Sequence, residues 1–127
     1  MQIKTNKTAA FTLVEIMIVV AIIGLLAAIA IPNFVKARET AQLNSIFNNL
    51  RIIDGAKDQW ALENKKGTGE TPDWSTGTAG IADYLKGGTV KDVVSETYSI
   101  RAVGTNSIAT LKAGVALGTY ASGAIIP

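Results

Sequence analysis

The sequence predicts an α+β protein: one long N-terminal helix, apolar in its first half and amphipathic in its second, packed by a small antiparallel sheet. Three observations predict it. Residues 11–31, FTLVEIMIVVAIIGLLAAIAI, are apolar apart from Thr12 and Glu15. Leu43, Ile46, Leu50, Ile53, Ala56 and Trp60 then recur at spacings of three and four, which is one buried stripe on a helix. From Tyr98 to Val103 the pattern changes to apolar–polar alternation, followed by the turn residues Gly104-Thr105-Asn106, as expected of a strand entering a hairpin.

The chain opens with MQIKTNKTAA, short, polar and basic, with two small residues at its end. Lys4 and Lys7 account for the whole formal net charge of +2; the remaining acids and bases balance and are interspersed. A nucleic-acid binder concentrates Lys and Arg on one face, so no nucleic-acid partner is expected. The 127 residues contain neither His nor Cys. This excludes imidazole- or thiolate-based nucleophilic sites and ordinary zinc sites, and it also excludes disulfides. No cofactor or metal is predicted.

A helix as long as residues 11–31 spans about 30 Å, the thickness of a bilayer's hydrocarbon core. An all-round apolar helix suits lipid better than the core of so small a protein. The flanking lysines place residues 1–10 in the cytoplasm and residues 33–127 across the membrane. Three kinds of segment share this outline: a signal peptide cut after Ala28-Ile29-Ala30, an uncleaved anchor, and a leader cut before the apolar run, between Ala10 and Phe11. Glu15 separates them. A carboxylate inside an apolar span costs about 2.5–3.5 kcal/mol on insertion scales, and neither a signal peptide nor a simple anchor has a use for it. A cut before Phe11 creates an amine one helical turn from Glu15, and the two charges can then meet.

Ala10-Phe11-Thr12-Leu13-Val14-Glu15 followed by an unbroken apolar stretch resembles the processing site of type IV pilins and type II secretion pseudopilins. Gly24 and Pro32 also fall where that family commonly has a helix-weakening Gly and Pro. The motif covers about a quarter of the chain. One position departs: the family usually has Gly before the cut, where this chain has Ala10. The residue is still small, and cleavage is expected.

The resemblance implies three segments: residues 1–10 as leader peptide, 11–32 as transmembrane and filament-core helix, and 33–127 as a pilin-like head. It implies a structural filament subunit, cut between Ala10 and Phe11 and methylated on the Phe11 amine by a prepilin peptidase. Glu15, Gly24 and Pro32 are the residues expected to serve assembly. The implied partners are further copies and other pilin-like subunits, the peptidase, an inner-membrane assembly platform, and lipid before assembly. The implied location is the bacterial inner membrane, single-pass with the head periplasmic, and then a periplasmic or cell-surface filament. The missing disulfide moves the reading toward pseudopilins or short pilin-like proteins.

Residues 12–64 read as one helix, bent or loosened at Gly24 and Pro32, because proline removes a backbone donor and crowds the preceding turn. In its second half Arg51 with Asp54, and Asp54 with Lys57, are placed to pair on the exposed side. Residues 65–80, KKGTGETPDWSTGTAG, read as a loop, with Trp74 expected to pin it to the head. Ile81–Lys86 reads as a short helix stopped by Gly87-Gly88. Tyr98–Val103 and Ser107–Lys112 form the expected hairpin, and Ala116–Tyr120 is expected to add a third strand.

Several pattern matches carry no function. Asn6-Lys7-Thr8 fits a glycosylation sequon but sits on the leader, and Gly67-Thr-Gly69 lacks the continuation of a phosphate loop. No calcium-loop spacing occurs, although carbonyls in residues 65–96 leave room for an ion, as in some pseudopilins. The rival to a filament subunit is an exported or membrane-anchored small binding module with a conventional signal peptide and a ligand site near Trp74 and Tyr98. An enzyme is the weakest reading, since no compact carboxylate pair replaces the missing His and Cys.

Overall fold

The computed structural model describes residues 9–127. Helix α1 runs from Leu13 to Glu63 with Pro32 inside it, within a residue of the predicted bounds. By its internal contacts the chain divides into two compact units, Met1–Val35 and Lys36–Pro127. In the first, the large apolar side chains of α1 are exposed on every side of the helix.

The second unit is the head. Its stretch of α1 buries Ile46, Leu50, Ile53, Ala56, Trp60 and Ala61, and two sets of residues cover that stripe. Ile46 and Leu50 pack with Ala109, Leu111, Leu117 and Ile126. One to four turns further on, Ile53, Ala56, Trp60 and Ala61 pack with Ile81 and Leu85. Tyr98 packs against both.

The sheet is small and antiparallel: β1 (Thr97–Ser99), β2 (Ile108–Thr110) and β3 (Ile125–Ile126), in the order β1-β2-β3. Thr97 faces Thr110, Tyr98 faces Ala109 and Ser99 faces Ile108, so the hairpin is as expected, though each strand is shorter. The third strand is elsewhere. Leu117 and Tyr120 instead close a tight turn on each other, 2.9 and 3.0 Å, with Gly118 at φ 59° between them. The pairing partner of β2 is Ile125–Ile126.

Other expectations are corrected as well. Ile81–Lys86 folds only as a 3₁₀ turn, Ala82–Tyr84. Gly87 and Gly88, both at positive φ, follow it as the predicted stop. Trp74 does not pin the loop; it is 38% exposed. The tether is the other tryptophan, Trp60, whose Nε1 donates to the Thr78 carbonyl at 3.1 Å. The loop is closed by a bridge between Asp73 and Gly80, and the Ser75 N–H donates to Asp73 Oδ1 at 2.8 Å. Gly80 is required there, because a Cβ would run into the Asp73 carboxylate and the Ser75 backbone.

The Asp54–Lys57 pair forms, at 2.8 Å, but Lys57 is buried rather than on the exposed side. Its ammonium also donates to the Thr105 carbonyl. Asp54 Oδ1 accepts from the Ser107 N–H and hydroxyl at 3.0 and 2.7 Å. Burial pushes the Asp54 carboxyl up, but the bonds from Lys57 and Ser107 more than offset this and hold it below its ordinary value. The pair clamps the 105–107 turn of the hairpin to α1. Arg51 has no acidic partner among the described residues.

Candidate processing and assembly site

Ala10 and Phe11 lie outside α1, and Phe11 is 84% exposed. The helix begins at Leu13 because Thr12 and Glu15 cap it reciprocally. The Glu15 N–H donates to Thr12 Oγ1 at 3.2 Å, and the Thr12 N–H donates to Glu15 Oε2 at 2.8 Å. Two of the backbone donors that a helix start leaves unpaired are thereby satisfied. Glu15 is also the only acid in the first turn, where the helix dipole favours a negative charge. Glu15 thus has a capping role beside the charge role expected from the sequence. The signal was present, since Thr-x-x-Glu ahead of an apolar run is a helix-start signature.

Phe11, Glu15, Ile16, Val19 and Val20 line a groove of about 440 Å³ on the first turns of α1. The structure therefore gathers Phe11 and Glu15 at one apolar surface. Gly24 and Pro32 are not part of it. An added Cβ at Gly24 would meet nothing within 4 Å. Pro32 leaves the Ala28 carbonyl without its helical donor, and the Asn33 side chain donates to the Ile29 carbonyl at 3.2 Å. Lys4, Lys7 and Asn6 lie outside the described residues.

The α1 stretch that begins at Leu13 has a window of mean hydropathy 2.9, none of it buried. By length and composition it is able to cross a membrane.

Of the two residues of the rival ligand site, Trp74 is partly exposed. Tyr98 is used internally: its hydroxyl donates to Glu96 Oε1 and accepts from Asn49 Nδ2 at 2.9 Å. Burial and the neighbouring Glu96 push the Tyr98 phenol far above its ordinary value. Among the described residues no three His, Cys, Asp or Glu gather in a group able to hold a metal.

Comparison with known proteins bears on the same segment. Residues 5–31 match a family model described as the prokaryotic N-terminal methylation motif. The chain is 38% identical to type II secretion system core protein G of Klebsiella pneumoniae over 61 residues, 48% of this chain and 44% of that protein. It is 43% identical to the type IV major pilin protein PilA of Myxococcus xanthus over 60 residues, 47% of this chain and 27% of that protein. It thus spans less than half the length of these two relatives. The match to the type IV major fimbrial protein FimA of Dichelobacter nodosus is longer, 36% identity over 120 residues, 80% of this chain and 74% of that protein. No solved structure is a significant match. The methylation segment at the N-terminus, together with an alignment that continues through the head to cover 74% of a fimbrial protein, places the chain in the family of type IV pilins and type II secretion pseudopilins.

Proposed function

We propose that the chain is a structural subunit of a type II secretion pseudopilus or a type IV pilus-like filament. The observation that carries this reading is Glu15: a capping carboxylate one turn from Phe11, on a stretch of α1, Leu13 to Ile31, that is otherwise apolar and exposed on all sides. A prepilin peptidase cuts between Ala10 and Phe11 and methylates the new amine. The subunit then waits in the inner membrane, its head on the periplasmic side, until an assembly platform adds it to a filament. There residues 11–32 exchange lipid for like helices, one apolar environment for another. Glu15 neutralises the Phe11 amine of an adjacent subunit, a pair whose separate charges are each heavily penalised in a dry bundle. Gly24 and Pro32 give the helix the local freedom that packing requires. The chain itself performs no catalysis.

The test is co-expression with a prepilin peptidase, read by intact mass and electron microscopy. Wild type is expected to begin with N-methyl-Phe11 and to form filaments. A chain beginning at Ile31 would instead mean a secreted module. Glu15→Val is expected to be inserted and cut normally yet to give few or no filaments. Glu15→Gln sharpens the result, because Gln also serves in a capping box. It keeps the helix start and removes only the charge, so its filaments should still be sparse.

A further inference from the structure

The cap at Thr12 raises a question that the charge on Glu15 does not answer: why α1 starts where it does. The residues before it, Ala9, Ala10 and Phe11, include two alanines, the strongest helix former. Local propensity favours extending α1 backwards through them. Yet Ala9, Ala10 and Phe11 are exposed and non-helical, and the helix begins one residue after Thr12. The Thr12 hydroxyl takes the Glu15 N–H at 3.2 Å. An N-cap residue holds a non-helical backbone while its side chain bonds the first turn, so this contact is a stop to backward extension.

We infer that Thr12 is a positioning residue for processing: its cap keeps the Ala10–Phe11 peptide bond out of the helix, so that a peptidase can take it as an extended segment. The inference rests on the cleavage site proposed above and adds a residue to it. In a helix the carbonyl of Ala10 would be committed to a backbone N–H one turn ahead, and the scissile bond would face the side of a rod. Outside the helix both groups of that bond are open to a protease cleft. The cap's second half, Thr12 N–H to Glu15 Oε2 at 2.8 Å, is dispensable for this purpose. Thr12 Oγ1 reaches a backbone N–H that any residue but proline supplies at position 15. Thr12 therefore serves cleavage and Glu15 serves assembly, although the two side chains bond to each other's backbone.

The experiment measures the initial rate of leader removal from the full chain by a prepilin peptidase in detergent. It compares wild type, Thr12→Val, Thr12→Ser, and Thr12→Val combined with Ala9→Gly. Thr12→Val keeps the branched shape and loses the acceptor, and its cleavage is expected to slow roughly fivefold, the scale of a lost cap. Thr12→Ser keeps the acceptor and should be cut at the wild-type rate. Ala9→Gly weakens the helix independently and should restore most of the rate to Thr12→Val. If Thr12→Val is cut as fast as wild type, the positioning role is wrong while the cleavage site stands. If it is slow and Ala9→Gly does not rescue it, the peptidase reads the hydroxyl directly and helix extension is not the cause. A wild-type chain left uncut between Ala10 and Phe11 would overturn this inference together with the processing reading.

Discussion

The two halves of α1 carry similar side chains and put them to opposite uses. Between Leu13 and Val35 isoleucines, leucines and valines stand exposed around the helix, Leu25 at 66%. In the head, Ile46 and Ile53 are fully enclosed and Leu50 is 5% exposed. The difference lies in arrangement, since the first half is apolar all round and the second is apolar on one stripe. A stripe can be satisfied by the sheet and loop of its own chain. An all-round apolar surface leaves too much area for so small a head, and it calls for an apolar solvent or like helices. One helix thus combines an element completed by its own chain with one completed by its surroundings.

Truncating a leucine in each half tests that division and should give the largest effect on stability. Leu50→Ala removes buried volume between the helix and the sheet and is expected to cost about 2–5 kcal/mol. Leu25→Ala should leave unfolding of the head unchanged. Denaturant titration of the full chain in mild detergent, followed by fluorescence of the buried Trp60, reads both variants. A small loss at Leu50 would mean that the stripe faces other subunits instead of the chain's own sheet.

A second, smaller effect probes the clamp beneath the hairpin. Lys57→Met keeps the length and apolar stem of the side chain but removes the ammonium shared by Asp54 and the Thr105 carbonyl. The cost is expected to be about 1–3 kcal/mol, the penalty for leaving those acceptors unpaired. The same titration measures it. An unchanged midpoint would mean that Ser107 alone holds Asp54 in place.

Lys57 also shows where the sequence stops being legible. The helix bounds, the stripe and the first hairpin follow from periodicity and turn residues, and all are local signals. The burial of Lys57 depends on Thr105 and Ser107, about fifty residues away in sequence, and nothing in the helix marks it as different from an exposed lysine. The third strand failed for a related reason. Ile125–Ile126 is too short to show alternation, while Ala116–Tyr120 holds Gly118, which folds it into a turn. The N-terminal methylation motif was legible because it is a contiguous string. The cap between Thr12 and Glu15 is legible too, in the Thr-x-x-Glu spacing ahead of an apolar run.

The smallest expected effect is a dependence of head stability on pH, and it belongs to Glu96. This residue is buried, and its carboxylate gathers the backbone ahead of β1. It accepts from the Val93 N–H at 2.9 and 3.0 Å, from the Val94 N–H at 2.8 Å, and from the Tyr98 hydroxyl. Burial pushes its carboxyl up, but the bonds from Tyr98, Val94 and Val93 together outweigh burial and hold it below the ordinary value of 4.5. A carboxyl depressed in the folded state binds fewer protons folded than unfolded. Its stabilising contribution is therefore complete above the unfolded value and is lost as pH falls through the folded one. Asp54, also depressed, acts in the same direction. Thermal unfolding of the head should lose stability as pH falls below about 5. Glu96→Gln should be less stable than wild type by about 1 kcal/mol near neutral pH, and it should show a shallower fall on acidification. The remaining slope is then the share of Asp54 and of Asp73, whose carboxyl the Ser75 donors also hold low. Equal slopes for Glu96→Gln and wild type would remove Glu96 as a source of the acid sensitivity and leave its three contacts as ordinary hydrogen bonds to a group that titrates alike in both states.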